Sequence, residues 1–232
     1  MTAHPLSVDD FQVAADVSRE TMARLRTYAD LLGKWNRAIN LVARDSLADL
    51  WRRHFLDSAQ LWPLLPAPPR GRTRVLVDLG SGAGFPGLVL AIMGAGDVHL
   101  IEADQRKSAF LNEVARATDT DIAVHNCRIE DMPLLPADVV TARACAPLAR
   151  LLGLAAPFLG PAMATDPAMA TESAIATDPG GIGLFLKGRS LERELTDSTR
   201  LWRMRFDLHP SRTDPAARIL RLRSLIEGND RS

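Results

Sequence analysis

The 232 residues carry 28 Lys and Arg against 28 Asp and Glu, a formal net charge of zero, and 47% of them are hydrophobic. That balance excludes the polar, highly charged class that stays disordered, and it excludes attraction to nucleic acid by bulk charge alone, while leaving room for a local basic face. No apolar run reaches the ~18 residues of a membrane span, no basic-then-apolar leader is visible, and Cys127 and Cys145 have neither metal-ligand nor disulfide-framework spacing, so a cytoplasmic protein without a metal site is expected.

The length suits one domain over 1–232, with a helical extension at 1–70, a sheet core at 71–160 and 180–226, and an insertion at 161–179. Ser7-Val8-Asp9-Asp10 reads as a capping box that starts a first helix. From Ser18 to Trp35 the apolar residues Met22, Leu25, Tyr28, Leu31, Leu32 and Trp35 keep helical spacing, which assigns Trp35 to the core rather than to base stacking. A third helix is predicted from Ser46 to Trp62, with Ser46 as N-cap, Asp49 at N3 and Pro63 as its stop. On it His54, Asp57 and Ser58 share a face, as a solvated His–Asp pair or as part of a polar site. Prolines at 63, 66, 68 and 69 make the segment that follows a stiff linker. Trp51-Arg52-Arg53-His54 and Arg200-Leu201-Trp202-Arg203-Met204-Arg205 interleave arginine with aromatic or apolar residues, either as solvated amphipathic elements or as local basic patches.

The run Val75-Leu76-Val77-Asp78-Leu79 then breaks into Gly80-Ser81-Gly82-Ala83-Gly84-Phe85-Pro86-Gly87 and resumes as Leu88-Val89-Leu90-Ala91-Ile92. This is a strand, a tight turn and a helix, with Pro86 expected in the first helical turn. Glycines there allow positive φ and leave room for a ligand to approach backbone N–H groups. Gly82 to Gly87 matches the dinucleotide fingerprint, with Glu102 at the spacing of its ribose acid. Asp78 at the strand end, before Gly80-Ser81-Gly82-Ala83-Gly84, fits equally well the nucleoside-binding turn of S-adenosylmethionine enzymes.

Strands are predicted at Asp97–Glu102, Asp121–Cys127 and Asp138–Thr141, with helices at Gln105–Thr118 and Leu148–Leu159. Strand and helix alternation of this kind specifies an α/β, doubly wound, largely parallel Rossmann-like sheet with its ligand outside the strand carboxyl ends. Residues 162–179 contain three copies of one hexapeptide, beginning Ala162-Met163-Ala164-Thr165-Asp166-Pro167, too poor in large apolar groups to build a core and expected as a surface loop. A further strand at Ile182–Gly188, a helix from Ser190 to Asp197 and strands near Leu201–Leu208 and Ala217–Arg223 close the sheet, the last one half-exposed and one member antiparallel. Gly80 to Gly84, then Glu102, then Ile129-Glu130-Asp131 supply a turn for the cofactor tail, an acid for ribose hydroxyls and polar groups for an adenine edge. That ordered set favours S-adenosylmethionine over a dinucleotide, since no second mononucleotide half is apparent.

Lys34-Trp35-Asn36-Arg37-Ala38-Ile39-Asn40-Leu41, Arg53-His54-Phe55-Leu56-Asp57-Ser58, Asp78 to Gly87, Arg128-Ile129-Glu130, Thr141-Ala142-Arg143-Ala144 and Leu186-Lys187-Gly188 together resemble the RsmG, or glucose-inhibited division protein B, family of bacterial methyltransferases. The resemblance runs from about Leu6 to Leu225, and the hexapeptide insertion departs from it. It implies methyl transfer from S-adenosylmethionine to guanine N7 in the decoding-region loop of 16S rRNA, with free rRNA or a small-subunit particle as partner and no membrane. Cofactor contacts carry over to Gly80, Phe85, Ile129, Glu130 and Arg143; Asp78, Ser81, Gly82, Gly84 and Glu102 join them from the reading of the turn and of the second strand. His54, Asp57, Arg143 and Lys187 match polar positions around the family's cleft. Arg143 and Lys187 are expected at phosphate or O6, and His54 with Asp57 at the guanosine. Guanine N7 carries an in-plane lone pair, so no general base is needed and alignment should dominate. A monomer is expected. A small-molecule methyltransferase, a nicotinamide-dependent oxidoreductase and a catalytically idle ribosome-binding module are the competing functions. An exocyclic-amine methyltransferase is disfavoured because Thr141-Ala142-Arg143-Ala144 stands where its Asn/Asp-Pro-Pro-aromatic signature belongs. Cys145 lacks the context of a cytosine-attacking thiolate and reads as packing.

Overall fold

The computed structural model describes residues 4–160 and 180–228, so the hexapeptide repeat at 162–179 lies outside the described residues. Ser7 accepts the Asp10 N–H at 3.0 Å and starts α1 (Val8–Ala15). Ser18 does the same for Thr21 at 3.1 Å and starts α2 (Arg19–Trp35), satisfying N–H groups that have no partner within the helix. Met22, Leu25, Tyr28 and Leu32 of α2 are buried, and the Trp35 ring packs 5.6 Å from Phe110, as a core residue should.

The expected third helix is not a regular one. Residues 44–64 form a compound segment: a 3₁₀ turn at Arg44–Asp49, a π-helical stretch at Trp51–Leu56, one α-turn, α3 (Asp57–Ala59), and a second 3₁₀ turn at Trp62–Leu64. Ser46 caps nothing, because its hydroxyl is committed to the Ala43 carbonyl at 2.6 Å and to the His54 ring. Pro63 sits inside the last 3₁₀ turn, where its missing N–H costs nothing. The widened turn hydrogen-bonds the Asp57 N–H to the Arg52 carbonyl, and aims His54 and Asp57 at a third residue instead of at each other.

Seven strands follow among the described residues: β1 (Val75–Leu79), β2 (Asp97–Ile101), β3 (Ala123–His125), β4 (Val139–Arg143), β5 (Ile182–Lys187), β6 (Trp202–Pro210) and β7 (Arg218–Glu227). Their order is β3-β2-β1-β4-β5-β7-β6, parallel through β5, with β7 antiparallel to both β5 and β6. β3 is shorter than expected. The continuous apolar character of β1 is explained by its two covered faces: Leu76 packs into one core cluster, Val77 and Leu79 into the other. The first cluster lies under α1, α2, α4 (Gly87–Ile92) and α5 (Gln105–Thr118), the second under α6 (Leu148–Leu159) and α7 (Leu191–Ser198). Pro86 stands one position before the expectation, as N-cap of α4 after a cis peptide bond. Nor is β7 half-exposed at its start, since Ile219 is buried in the first cluster while Leu220 and Leu222 are buried in the second. Sequence order reverses between β1 and β4, and a crevice at the carboxyl ends of such neighbours is where open α/β sheets bind ligands.

Candidate active site

The glycine turn at the end of β1 is packed from both sides. Gly80 has φ 63°, and a Cβ there would lie 2.9 Å from the Cys145 sulfur; Gly84 has φ 94°, and a Cβ there would lie 2.7 Å from the Tyr28 oxygen. Both the backbone angle and the available space therefore require glycine. Tyr28, reaching over from α2, donates its hydroxyl hydrogen to the Ala83 carbonyl, and burial keeps that phenol protonated by pushing its pKa well up. Ser81 is tied to the end of β2 through its N–H and the Ile101 carbonyl at 3.0 Å.

Glu102 is wired into this turn. Its Oε2 accepts the Gly82 N–H and its Oε1 the Asp104 N–H, each at 2.8 Å, so the strand-two acid fixes the loop while each oxygen keeps a second lone pair. Asp78 lies beneath the turn rather than on its open side: it is fully buried, Oδ1 accepts the Thr141 hydroxyl at 2.6 Å, and Oδ2 has no partner among the described residues. Burial pushes its carboxyl up to about 6. Ile129 and Glu130 occupy a 3₁₀ turn after β3, with Glu130 paired to Arg150 at 3.2 Å and held below the usual carboxylate range by hydrogen bonds from the backbone and from that arginine.

Beside the turn, beyond β4 and β5, opens a cleft of about 1020 Å³, lined among others by Asp57, Arg143, Cys145, Lys187, Glu194 and Thr213. Arg143 ends β4 and stands with its guanidinium 4.9 Å above the Phe85 ring. It donates to Asp57 Oδ2 at 3.2 Å, to the Arg53 carbonyl at 3.0 Å and to His54 Nδ1 at 2.8 Å. Arginine has only donors, so Nδ1 must accept and the imidazole proton must sit on Nε2. Nε2 then donates to Ser46 at 2.7 Å, and Ser46 passes its own hydrogen to Ala43. Burial, Arg143 and Arg53 push the His54 pKa down to about 3, so the ring is neutral and both nitrogens are spent.

The other polar groups are equally committed. Asp57 Oδ1 accepts from Gln60 at 2.9 Å and from Thr213 at 2.7 Å. Ser58, expected to share a polar face with His54, spends its hydroxyl on the His54 carbonyl at 2.7 Å. Lys187 is ion-paired to Glu194 at 2.5 Å and donates to the Ala146 carbonyl at 3.2 Å, while Glu194 also accepts the Leu148 N–H that opens α6. His54, Asp57, Phe85 and Arg143 thus form one cluster. Asp78, Gly80, Ser81, Gly82, Gly84 and Glu102 form a second, joined to the first where Phe85 follows Gly84 in the same turn and lies under Arg143, with Ile129 and Glu130 at the end of the neighbouring strand and Lys187 on the cleft wall. Sequence reading missed Tyr28, Ser46, Gln60, Glu194 and Thr213. Each is polar and acts through a partner distant in the chain or across an irregular turn, so no local spacing marks it; the turn formers of Ser211-Arg212-Thr213-Asp214-Pro215 carry a signal for a turn but none for a site.

Comparison with known proteins bears on this arrangement. The family model described as rRNA small subunit methyltransferase G matches residues 21–211. Curated relatives carrying the name Ribosomal RNA small subunit methyltransferase G include one from Rhodospirillum rubrum, 53% identical over 94% of this chain and 97% of its own length, and one from Rhodospirillum centenum, 56% identical over 92% and 88%. Among solved structures, a SAM-dependent methyltransferase from Aquifex aeolicus superposes with a TM-score of 0.52 at 12% identity, covering 81% of this chain and 95% of the other. A mutant of MtNAS in complex with S-adenosylmethionine superposes with a TM-score of 0.52 at 13% identity, over 94% and 84%. The sheet order and these superpositions give the fold of S-adenosylmethionine-dependent methyltransferases, as expected. On the strength of the family match over most of its length, the chain belongs to the rRNA small subunit methyltransferase G family.

Proposed function

We propose that this chain transfers the methyl group of S-adenosylmethionine to N7 of a guanosine in the decoding-region loop of 16S rRNA. The family match carries the choice of substrate, and the committed lysine and histidine of the cleft fit an acceptor atom that needs no proton removed. The one lysine lining the cleft among the described residues is ion-paired, and the histidine behind Arg143 has both nitrogens engaged. A nucleophile that had to lose a proton, such as an exocyclic amine or a hydroxyl, would need such a base. Guanine N7 does not, because its lone pair attacks the sulfonium methyl directly.

In this reading the residues divide the work. Glu102, with spare lone pairs, takes the ribose hydroxyls; Gly80, Ser81, Gly82 and Gly84 let the cofactor tail approach the backbone; Ile129 and Glu130 meet the adenine edge. Asp78 supports the turn from below. Arg143, neutralised by Asp57, keeps Nε and one hydrogen of Nη2 for the cofactor or for O6 of the guanine. His54 and Asp57 act through Arg143 instead of touching the base, and Lys187 meets the substrate only if it exchanges its Glu194 contact. The rate comes from holding N7, methyl carbon and sulfur in line. The substrate is rRNA within a small-subunit particle or free, and the enzyme acts as a monomer.

Purified protein incubated with methyl-labelled S-adenosylmethionine and 16S rRNA tests this. Label should enter the rRNA, and Arg143→Ala should lower kcat/KM by roughly 100-fold, the scale expected when reacting groups lose their alignment. Unchanged transfer by Arg143→Ala would remove Arg143 from the mechanism, and no transfer by the wild type to rRNA or to small subunits would defeat the proposal.

A further inference from the structure

The cleft is electrically balanced. Arg52, Arg53, Arg143 and Lys187 line it together with Asp49, Asp57, Glu194 and Asp214. Arg52 pairs with Asp49 at 3.0 Å, Arg53 with Asp45 at 3.6 Å, Arg143 with Asp57 at 3.2 Å and Lys187 with Glu194 at 2.5 Å. Such a wall suits a neutral base, but it gives a polyanion little to hold. RNA affinity, in contrast, is dominated by phosphates neutralised by lysine and arginine. Zero net charge over the chain means that those contacts must come from a local patch.

One sheet face provides it. Trp202, Met204 and Phe206 of β6 turn toward the core cluster under α6 and α7, so strand alternation puts Arg203, Arg205 and Asp207 on the opposite face. Cross-strand register sets Arg221 of β7 opposite Asp207 on that face. Arg223, the extra residue where the register shifts, reaches Asp207 at 2.5 Å. The face therefore gathers four arginines around one aspartate. Arg203 and Arg205 are exposed and have no ion pair among the described residues, and Nε of Arg221 is buried without a hydrogen-bond partner. The same two strands are joined by the turn whose Thr213, Asp214, Pro215 and Ala217 line the cleft. Arg205 precedes the strand end at Pro210 by a stretch of about 17 Å at ~3.3 Å per residue, a distance that nucleotides flanking the target span easily.

We propose that the outer face of β6 and β7, centred on Arg203 and Arg205, is the docking surface for the phosphate backbone of the rRNA, the cleft itself taking only the target base. This rests on the reading of the chain as an rRNA methyltransferase. Charges on an edge strand also discourage sheet-to-sheet pairing, and the test separates the two roles.

Arg203→Gln/Arg205→Gln is compared with wild type and with Arg19→Gln/Arg24→Gln, which removes the same charge from the exposed side of α2. Affinity for 16S rRNA is measured against salt, alongside methyl-transfer kinetics and sedimentation. For the β6 variant, KM for rRNA should rise on the order of 20-fold near 0.1 M salt. The slope of log affinity against log salt should fall by about 1.4 to 1.8, with kcat and S-adenosylmethionine affinity unchanged. An unchanged slope, an equal loss in the α2 variant, or self-association with unchanged rRNA affinity would overturn the surface. If the wild type methylates rRNA while the β6 variant matches it, only the surface fails; if the wild type neither binds nor methylates rRNA, the parent reading fails with it.

Discussion

Arg143 is the residue on which distant parts of the chain converge. The compound segment supplies Ser46, His54 and Asp57, the glycine turn supplies Phe85, and the β6–β7 turn reaches it through Thr213 and Asp57. Two buried titrating groups here act on stability in opposite directions. His54 is held neutral, with its pKa at about 3 against about 6.5 when exposed, so its contribution is present above pH 6.5 and is lost as pH falls toward 3. The loss approaches ~1.4 kcal/mol per pH unit. Urea melts between pH 7 and pH 5 should therefore show His54→Gln losing less stability than wild type, and parallel curves would contradict a ring held neutral by burial and its neighbouring arginines. Asp78, raised to about 6 from 3.8, has the reverse sign: its contribution is present at low pH and is lost as pH rises through 6. Between pH 4 and pH 7, the stability of Asp78→Asn relative to wild type should shift in the variant's favour by about 2 to 3 kcal/mol. A constant difference would mean that Asp78 is not buried as a strained acid. Much of this was open to sequence reading as residue choice, since His54, Asp57, Asp78, Phe85, Glu102 and Arg143 all fall in two joined clusters. Their roles were less legible. A π-turn and a strand end have to be placed in space before it is clear that His54 faces an arginine donor, which alone settles the proton's position.

The element that departs most from expectation is residues 44–64. Its hydrophobic pattern is helical, and Trp51 does stack on Phe55 with ring centroids 4.5 Å apart and pack tilted against Phe11 at 5.0 Å. What pattern does not reveal is that Ser46 would be drawn off by His54, leaving the segment without its cap. The glycine turn is the opposite case, since four glycines around an acid-terminated strand announce both a turn and a close approach. Gly84→Ala should destabilise the protein by roughly 2 to 4 kcal/mol, combining positive-φ strain with overpacking against Tyr28 and Leu88. Thermal or urea denaturation checks this, and under the same conditions Gly33→Ala, within α2 and with open space around its Cβ, should be neutral to stabilising by up to about 1 kcal/mol. Equal effects at both positions would show that the turn is not close-packed.

For the whole molecule, strand and helix alternation was enough to give a mostly parallel sheet with an antiparallel member. The position of β7 between β5 and β6 was not readable, because insertion of a late strand depends on long-range pairing and not on local periodicity. The substrate likewise came from motifs taken together, since the glycines alone fit a dinucleotide as well. The proposed function and the proposed docking surface together divide the labour at this scale: a turn for the cofactor, a balanced cleft for one base, and a basic sheet face for the chain that carries it. The central claim is the atom methylated, and it is tested most directly by mapping N7-methylguanosine along 16S rRNA from cells with and without this protein. The account predicts one N7-methylguanosine in the decoding-region loop that disappears with the protein and returns with its wild-type copy. A loop modified identically in both strains would contradict it.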